Sequence, residues 1–200
     1  MIFWAPAILI GSIALAWLHF VPSYFIEQSG NLITLVLSIM MLLVGFEIGI
    51  QKKALQEMKR YGFAILAPPI AIIIGTFFGA ILTAVIFKKP IFQMLAASSG
   101  FGWYTLAGPM LTHLVSEELG TIAFLANLFR EVSQFLLIPI CTKYFGQVTM
   151  LVPGGATTMD TALPFIKKMY GPKMALAGFI SGGILSLLAP LFISLFATLL

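Results

Sequence analysis

Pro153-Gly154-Gly155-Ala156-Thr157-Thr158-Met159-Asp160-Thr161-Ala162-Leu163-Pro164 lies between apolar runs and carries the only aspartate of the chain. A carboxylate at membrane depth costs roughly 2.5–3.5 kcal/mol on insertion scales, so one that persists there has a functional reason. The glycine pair and the two prolines break helix, while Thr157, Thr158 and Thr161 supply hydroxyls. The stretch reads as an interruption inside a membrane-embedded helix. The rest of the chain reads as the scaffold that carries it.

Composition sets that frame. Of 200 residues, 60% are hydrophobic and only 9% charged, against about 25% charged in soluble domains. The apolar runs are long and do not alternate, which predicts an all-α integral membrane protein, a helical bundle, over an outer-membrane barrel. The net charge of +4 comes from lysines bunched between those runs, an orientation signal and not a nucleic-acid footprint. The start has no basic leader region, so it reads as a retained span.

Five full spans are expected, near residues 2–21, 31–50, 62–87, 119–142 and 174–199. His19 and Glu47 fall at span ends, where interfacial solvation explains them. The loop at 51–60 is the most basic of the chain; the positive-inside rule makes it cytoplasmic, and the N-terminus with it. Pro68 and Pro69 should kink the third span, and Gly75 with Gly79 offers a close-packing face. Lys88 and Lys89 then fall outside, against the charge rule.

Two further segments, near 91–112 and 147–166, are apolar but interrupted. The first holds Gly100, Gly102 and Gly108 with two serines and Pro109, a density of breakers that predicts a broken or re-entrant helix. Such backbone survives in a membrane only where protein or a water-filled cavity satisfies it. Five crossings result if both segments are re-entrant and seven if both cross. Either way the C-terminus is outside. Between them, Asn127, Arg130, Glu131 and Gln134 recur at helical i,i+3 and i,i+4 spacing, which puts them on one polar stripe. A stripe in mid-span faces a bundle interior or a cavity.

Two interrupted segments at membrane depth are the sequence signature of a transporter's binding site. Broken helices aim N–H groups at anions and freed carbonyls at cations. Beside two carboxylates, Glu131 and Asp160, that combination suits a cation or a zwitterion. A proton and a cation exclude each other at one carboxylate, which is the minimum device for exchange. An intramembrane aspartyl protease needs two aspartates, and no hydrolase or metal motif is present. A sodium/proton or other cation antiporter, a channel and a structural subunit stay open at this point.

The residues also resemble a known family. Ser99–Gly108, Ala123–Glu131 and Gly155–Pro164 resemble the signatures of the LysO lysine exporters in order and spacing, as does Leu42-Leu43-Val44-Gly45 before the basic loop. The resemblance implies a non-enzymatic exporter of L-lysine and its analogues from a prokaryotic cytoplasm, sited in the plasma (inner) membrane. It implies exchange with protons as coupling ion and no other cofactor. It places the family's membrane acids on Asp160 and Glu131, and its architecture is similar to the sodium/proton antiporter superfamily. Asp160 would alternate between a lysine ammonium and a proton, with Glu131 holding the second ammonium or tuning Asp160 and Arg130 balancing charge. Backbone around Gly100, Gly102, Gly155 and Thr157 would hold the α-carboxylate, with Asn127, Trp103, Tyr104 and Thr158 lining the site. Full-length members carry about three more N-terminal spans, and this chain resembles their last two-thirds. The expected partners are therefore L-lysine, the lipid bilayer, a small membrane subunit supplying those spans, and a second copy of the chain.

Overall fold

A computed structural model of the protein describes residues 66–200 and, ahead of them, residues 35, 36, 38, 39, 42, 43, 46 and 50, all helical. The chain divides into two compact units, Met1–Ser38 and Ile39–Leu200. Leu35, Val36 and Ser38 are the described residues of the first, and all helices named below belong to the second. The span expected at 2–21, most of that at 31–50, His19, Glu47 and the basic loop at 51–60 lie outside the described residues.

All regular structure among the described residues is helical. Helix α1 is Ala67–Phe87, α2 Ile91–Ser98, α3 Tyr104–Leu114 and α4 Glu117–Phe145. A 3-10 turn, Gln147–Met150, leads into the short α5, Leu151–Gly154, and a second 3-10 stretch, Gly155–Met159. Then come α6, Leu163–Tyr170, and α7, Pro172–Ala197. Of these α1, α4 and α7 are long and apolar enough to cross a membrane, at 21, 29 and 26 residues. At ~1.5 Å per residue each exceeds the ~30 Å hydrocarbon core. The protein is an all-α membrane protein.

The helix ends follow local chemistry, with two corrections to the expected bounds. Pro68 and Pro69 do not kink α1; they occupy its first positions, where a missing N–H has no partner to lose. Pro139 does not end α4, which runs on to Phe145. A helix sealed from water keeps its remaining ladder, because the alternative partners for its backbone are absent. Glu117 and Glu118 open α4. They form the first turn of α4, favoured by the helix dipole, and Ser116 Oγ caps it by accepting from Leu119 N at 3.2 Å.

The order of contacts gives the directions. Tyr170 at the end of α6 bonds Thr142 near the end of α4 at 2.8 Å, and Phe165 packs on Phe135. The chain that leaves α4 at Phe145 therefore dips to the middle of that helix and returns to the same end. Helix α7 starts there and runs back along α4. Its far end, at Phe196, packs against the cluster of Ala80 and Ala84 of α1 with Met94 and Leu95 of α2, so the α1–α2 turn lies at the start of α4, as does the α3–α4 turn. Residues 91–114 thus make a hairpin entering from one end, and residues 147–170 a hairpin entering from the other.

Packing at these crossings rests on glycines. A Cβ on Gly120 of α4 would lie 2.7 Å from Thr112 N and 2.8 Å from Gly108 O, so α3 and α4 meet backbone to backbone. Gly75 and Gly79 meet no other element among the described residues. Phe77 closes the middle of the bundle against Phe101, Phe192 and Phe196, ring centres 5.8, 5.2 and 5.3 Å away. Gly120→Ala is expected to destabilise the protein by about 1–3 kcal/mol, as overpacked cores do. Thermal unfolding in detergent checks it; an unchanged midpoint would mean that α3 can stand off from α4.

Candidate functional site

Two residues in the middle of α4 hold the two hairpin tips. Asn127 is buried. Its Oδ1 accepts from Gly102 N at 2.8 Å, and its Nδ2 donates to Ala97 O and Ala123 O, each at 2.8 Å. Two of these three bonds go to the first hairpin and the third to the helix's own Ala123 carbonyl. Arg130, three residues on, donates from Nε to Pro153 O at 3.1 Å and from Nη2 to Val152 O at 3.0 Å. Its Nη1 reaches Thr76 Oγ1 at 3.0 Å. The guanidinium thus satisfies carbonyls that the broken second hairpin leaves free. Among the described residues its hydrogen bonds go to backbone and a hydroxyl, which gives it a positioning role.

The tips touch directly. Ala156 N donates to Phe101 O at 2.9 Å. Both strands of that contact are in unusual backbone: Phe101 has φ 50 although fully buried, and Gly155 has φ 60. A bulky residue at positive φ is a true outlier that surrounding structure must impose. At Gly155 a Cβ would land on Phe101 O and lie 3.0 Å from Arg130 Nη2. Only glycine fits.

Beside the contact is a cavity of about 320 Å³, at the lower end of the ~300–1,000 Å³ found for small-molecule sites. Gly102, Trp103, Tyr104 and Thr105 line it from the first hairpin, and Ala156, Thr157, Met159, Asp160 and Thr161 from the second. Glu131 enters from α4, Ser186 from α7, and Leu43 closes another wall. Asp160 and Glu131 therefore open onto one space. Thr161 serves both: its N–H donates to Asp160 Oδ1, and its hydroxyl interacts with both carboxylates. Tyr104 is fixed edge-on against Phe124, ring centres 5.2 Å apart.

The residues singled out from the sequence fall into two groups. Asp160, Glu131, Gly102, Trp103, Tyr104 and Thr157 line the cavity. Asn127, Arg130, Gly100, Gly155 and Thr158 lie behind it and shape the tips. A Cβ on Gly100 would come within 2.8 Å of Asn127 Oδ1, and Thr158 Oγ1 lies 2.9 Å from Gly178 O of α7. Gln134, the last of the stripe, is buried with its Oε1 3.0 Å from Thr157 Oγ1. Sequence reasoning missed Thr105, Met159, Thr161, Ser186 and Leu43. Thr161 carried a signal, being next to the aspartate; Ser186, a serine in an apolar helix, carried none.

Chemically, two carboxylates, two aromatic rings and several hydroxyls around one cavity form a receptor for an ammonium group. Carboxylates attract it, hydroxyls accept from it, and ring faces add ~0.5–2 kcal/mol. Helix N-termini at Tyr104 and Leu163 bring positive dipole ends near the same region.

Comparison with known proteins agrees with this chemistry. The sequence profile described as "Lysine exporter LysO" matches residues 6–197. The Escherichia coli (strain K12) lysine exporter LysO is 31% identical over 175 residues, covering 86% of this chain and 57% of that protein. A Haemophilus influenzae protein provisionally named a lysine exporter is 30% identical over 195 residues, covering 96% of this chain and 93% of its own length. The chain thus spans little more than half the length of its Escherichia coli relative. No solved structure matches it. With the matched region taking in both hairpins and the polar middle of α4, the chain belongs to the lysine exporter LysO family.

Proposed function

We propose that the protein exports L-lysine and lysine analogues across a prokaryotic inner membrane as a secondary transporter driven by proton exchange. The observation that carries this reading is the convergence of Asp160 and Glu131 on one cavity between two interrupted hairpins. Lysine brings two ammonium groups, which the two carboxylates match in number, and one carboxylate, which the amides of the broken backbone suit. Trp103 and Tyr104 supply aromatic faces for a cation. Proton and ammonium compete for the same carboxylate oxygens, so release of one accompanies capture of the other.

In a bilayer, α1, α4 and α7 span, and the two hairpins are re-entrant from opposite faces, within a chain of five crossings. Lys143, Lys167, Lys168 and Lys173 gather at the end of α4, with no acid among the described residues there. The positive-inside rule places that end in the cytoplasm and Leu200 outside. A small membrane subunit with further spans, or a second copy of the chain, completes the assembly in this reading.

Counterflow of labelled lysine in proteoliposomes under an imposed pH gradient tests the proposal, with the chain alone and with a small membrane partner. Lysine accumulation that collapses with the gradient is the expected result. No lysine movement in either preparation would sink it, and sodium-dependent proton release without a lysine response would make the protein a sodium/proton antiporter instead.

A further inference from the structure

Among the described residues, Ser181 and Ser186 of α7 are buried hydroxyls without a bond to their own helix, and of the two Ser186 lines the cavity. Thr83, Ser99 and Thr121 each turn back to the carbonyl four residues earlier, at 2.8, 2.7 and 2.8 Å. That is the usual resting place of a helical hydroxyl away from water. Ser186 makes no such bond. It is 4% exposed and lines the cavity, and its hydroxyl donates to Met159 Sδ at 3.3 Å. A thioether is a weak acceptor. A buried hydroxyl held off its own helix for so weak a partner has been turned toward something else.

The direction of that bond decides what the partner can be. The hydroxyl has one hydrogen, and the sulfur takes it. Both oxygen lone pairs are then left to accept. The donor they meet must come from the cavity, since Met159 occupies the other side. Ser186 and Asp160 both line that cavity. A primary ammonium has three N–H donors. Asp160 accepts from it, and a further acceptor is best neutral, because added charge would hold the cation too tightly to release.

We infer that Ser186 is a substrate-contacting residue, a neutral acceptor for the ammonium that Asp160 holds. Met159 orients it by taking its hydrogen. The inference rests on the lysine reading of the cavity and adds to it a residue on α7, which otherwise gives the cavity no polar group. It also makes α7 sense occupancy of the cavity directly.

The test compares wild type and Ser186→Ala in proteoliposomes loaded with labelled lysine, with thermal unfolding of both in detergent. Ser186→Ala removes one oxygen and keeps the volume. The expected result is a KM for lysine raised about tenfold, a maximal rate within twofold of wild type and an unchanged unfolding midpoint, the pattern of lost uniform binding. A KM within twofold of wild type overturns the inference. So does a fall in rate that tracks a fall in the unfolding midpoint, which makes Ser186 a packing residue for Met159. Absence of lysine flux in wild type is a different outcome, the failure of the lysine reading itself.

Discussion

Asp160→Asn is expected to abolish proton-driven lysine flux while leaving the protein folded. Asparagine keeps the size of the side chain and the oxygen that accepts from Thr161 N, so the second hairpin retains its local bond. What disappears is the charge. An ammonium ~4 Å from a carboxylate gains about 4 kcal/mol at the effective dielectric of such a site, which is about a thousandfold in affinity. The proton loses its seat as well, so the two halves of exchange fail together. Below the pH at which Asp160 ionises, wild type should lose lysine affinity because protons win; above it, affinity should level off. Asp160→Asn should show neither limb. Flux against pH in proteoliposomes reads all of this, and undiminished, pH-dependent flux in the variant would remove Asp160 from the mechanism.

The second large effect is expected from Gly155→Ala, a change that removes no charge. The positive φ of Gly155 strains any other residue by about 1–3 kcal/mol, and its new Cβ would sit on Phe101 O and crowd Arg130. The Ala156–Phe101 bond between the tips then has to break, at about 1 kcal/mol more. Together with overpacking of about 1–3 kcal/mol the loss reaches several kcal/mol, and the unfolding midpoint should fall with it. Flux should be lost even in whatever fraction stays folded, because the cavity walls come from both tips. A variant with wild-type stability and flux would show that the tips work without touching.

Much of this site could be read from residue types alone, for identifiable reasons. Helix breakers are local, so Gly100 to Gly102 and Pro153 to Pro164 announced both interruptions. An acid in apolar sequence is conspicuous, so Glu131 and Asp160 stood out, and the cavity joins them. The polar stripe on α4 was equally visible, but the job of each member was not. Whether Arg130 meets a carboxylate or a row of carbonyls depends on which part of a distant hairpin arrives beside it. The prolines misled for the opposite reason. Pro139 counts as a terminator in water, whereas in α4 it is carried through, and Pro68 and Pro69 begin α1 instead of bending it. Ser186 was silent because its meaning lies in a bond it does not make to its own helix.

The spacing of Asn127 and Arg130 has a mechanical consequence. Each grips one hairpin, and they are separated by less than one turn of the same helix. The two tips and the middle of α4 therefore form a single rigid plug. Pulling either tip toward its own face of the membrane would strip donors from a buried amide or guanidinium with no water to replace them. A carrier built this way does not breathe by withdrawing its hairpins in turn. On the exporter reading proposed above, the two tips and the middle of α4 would move as one body.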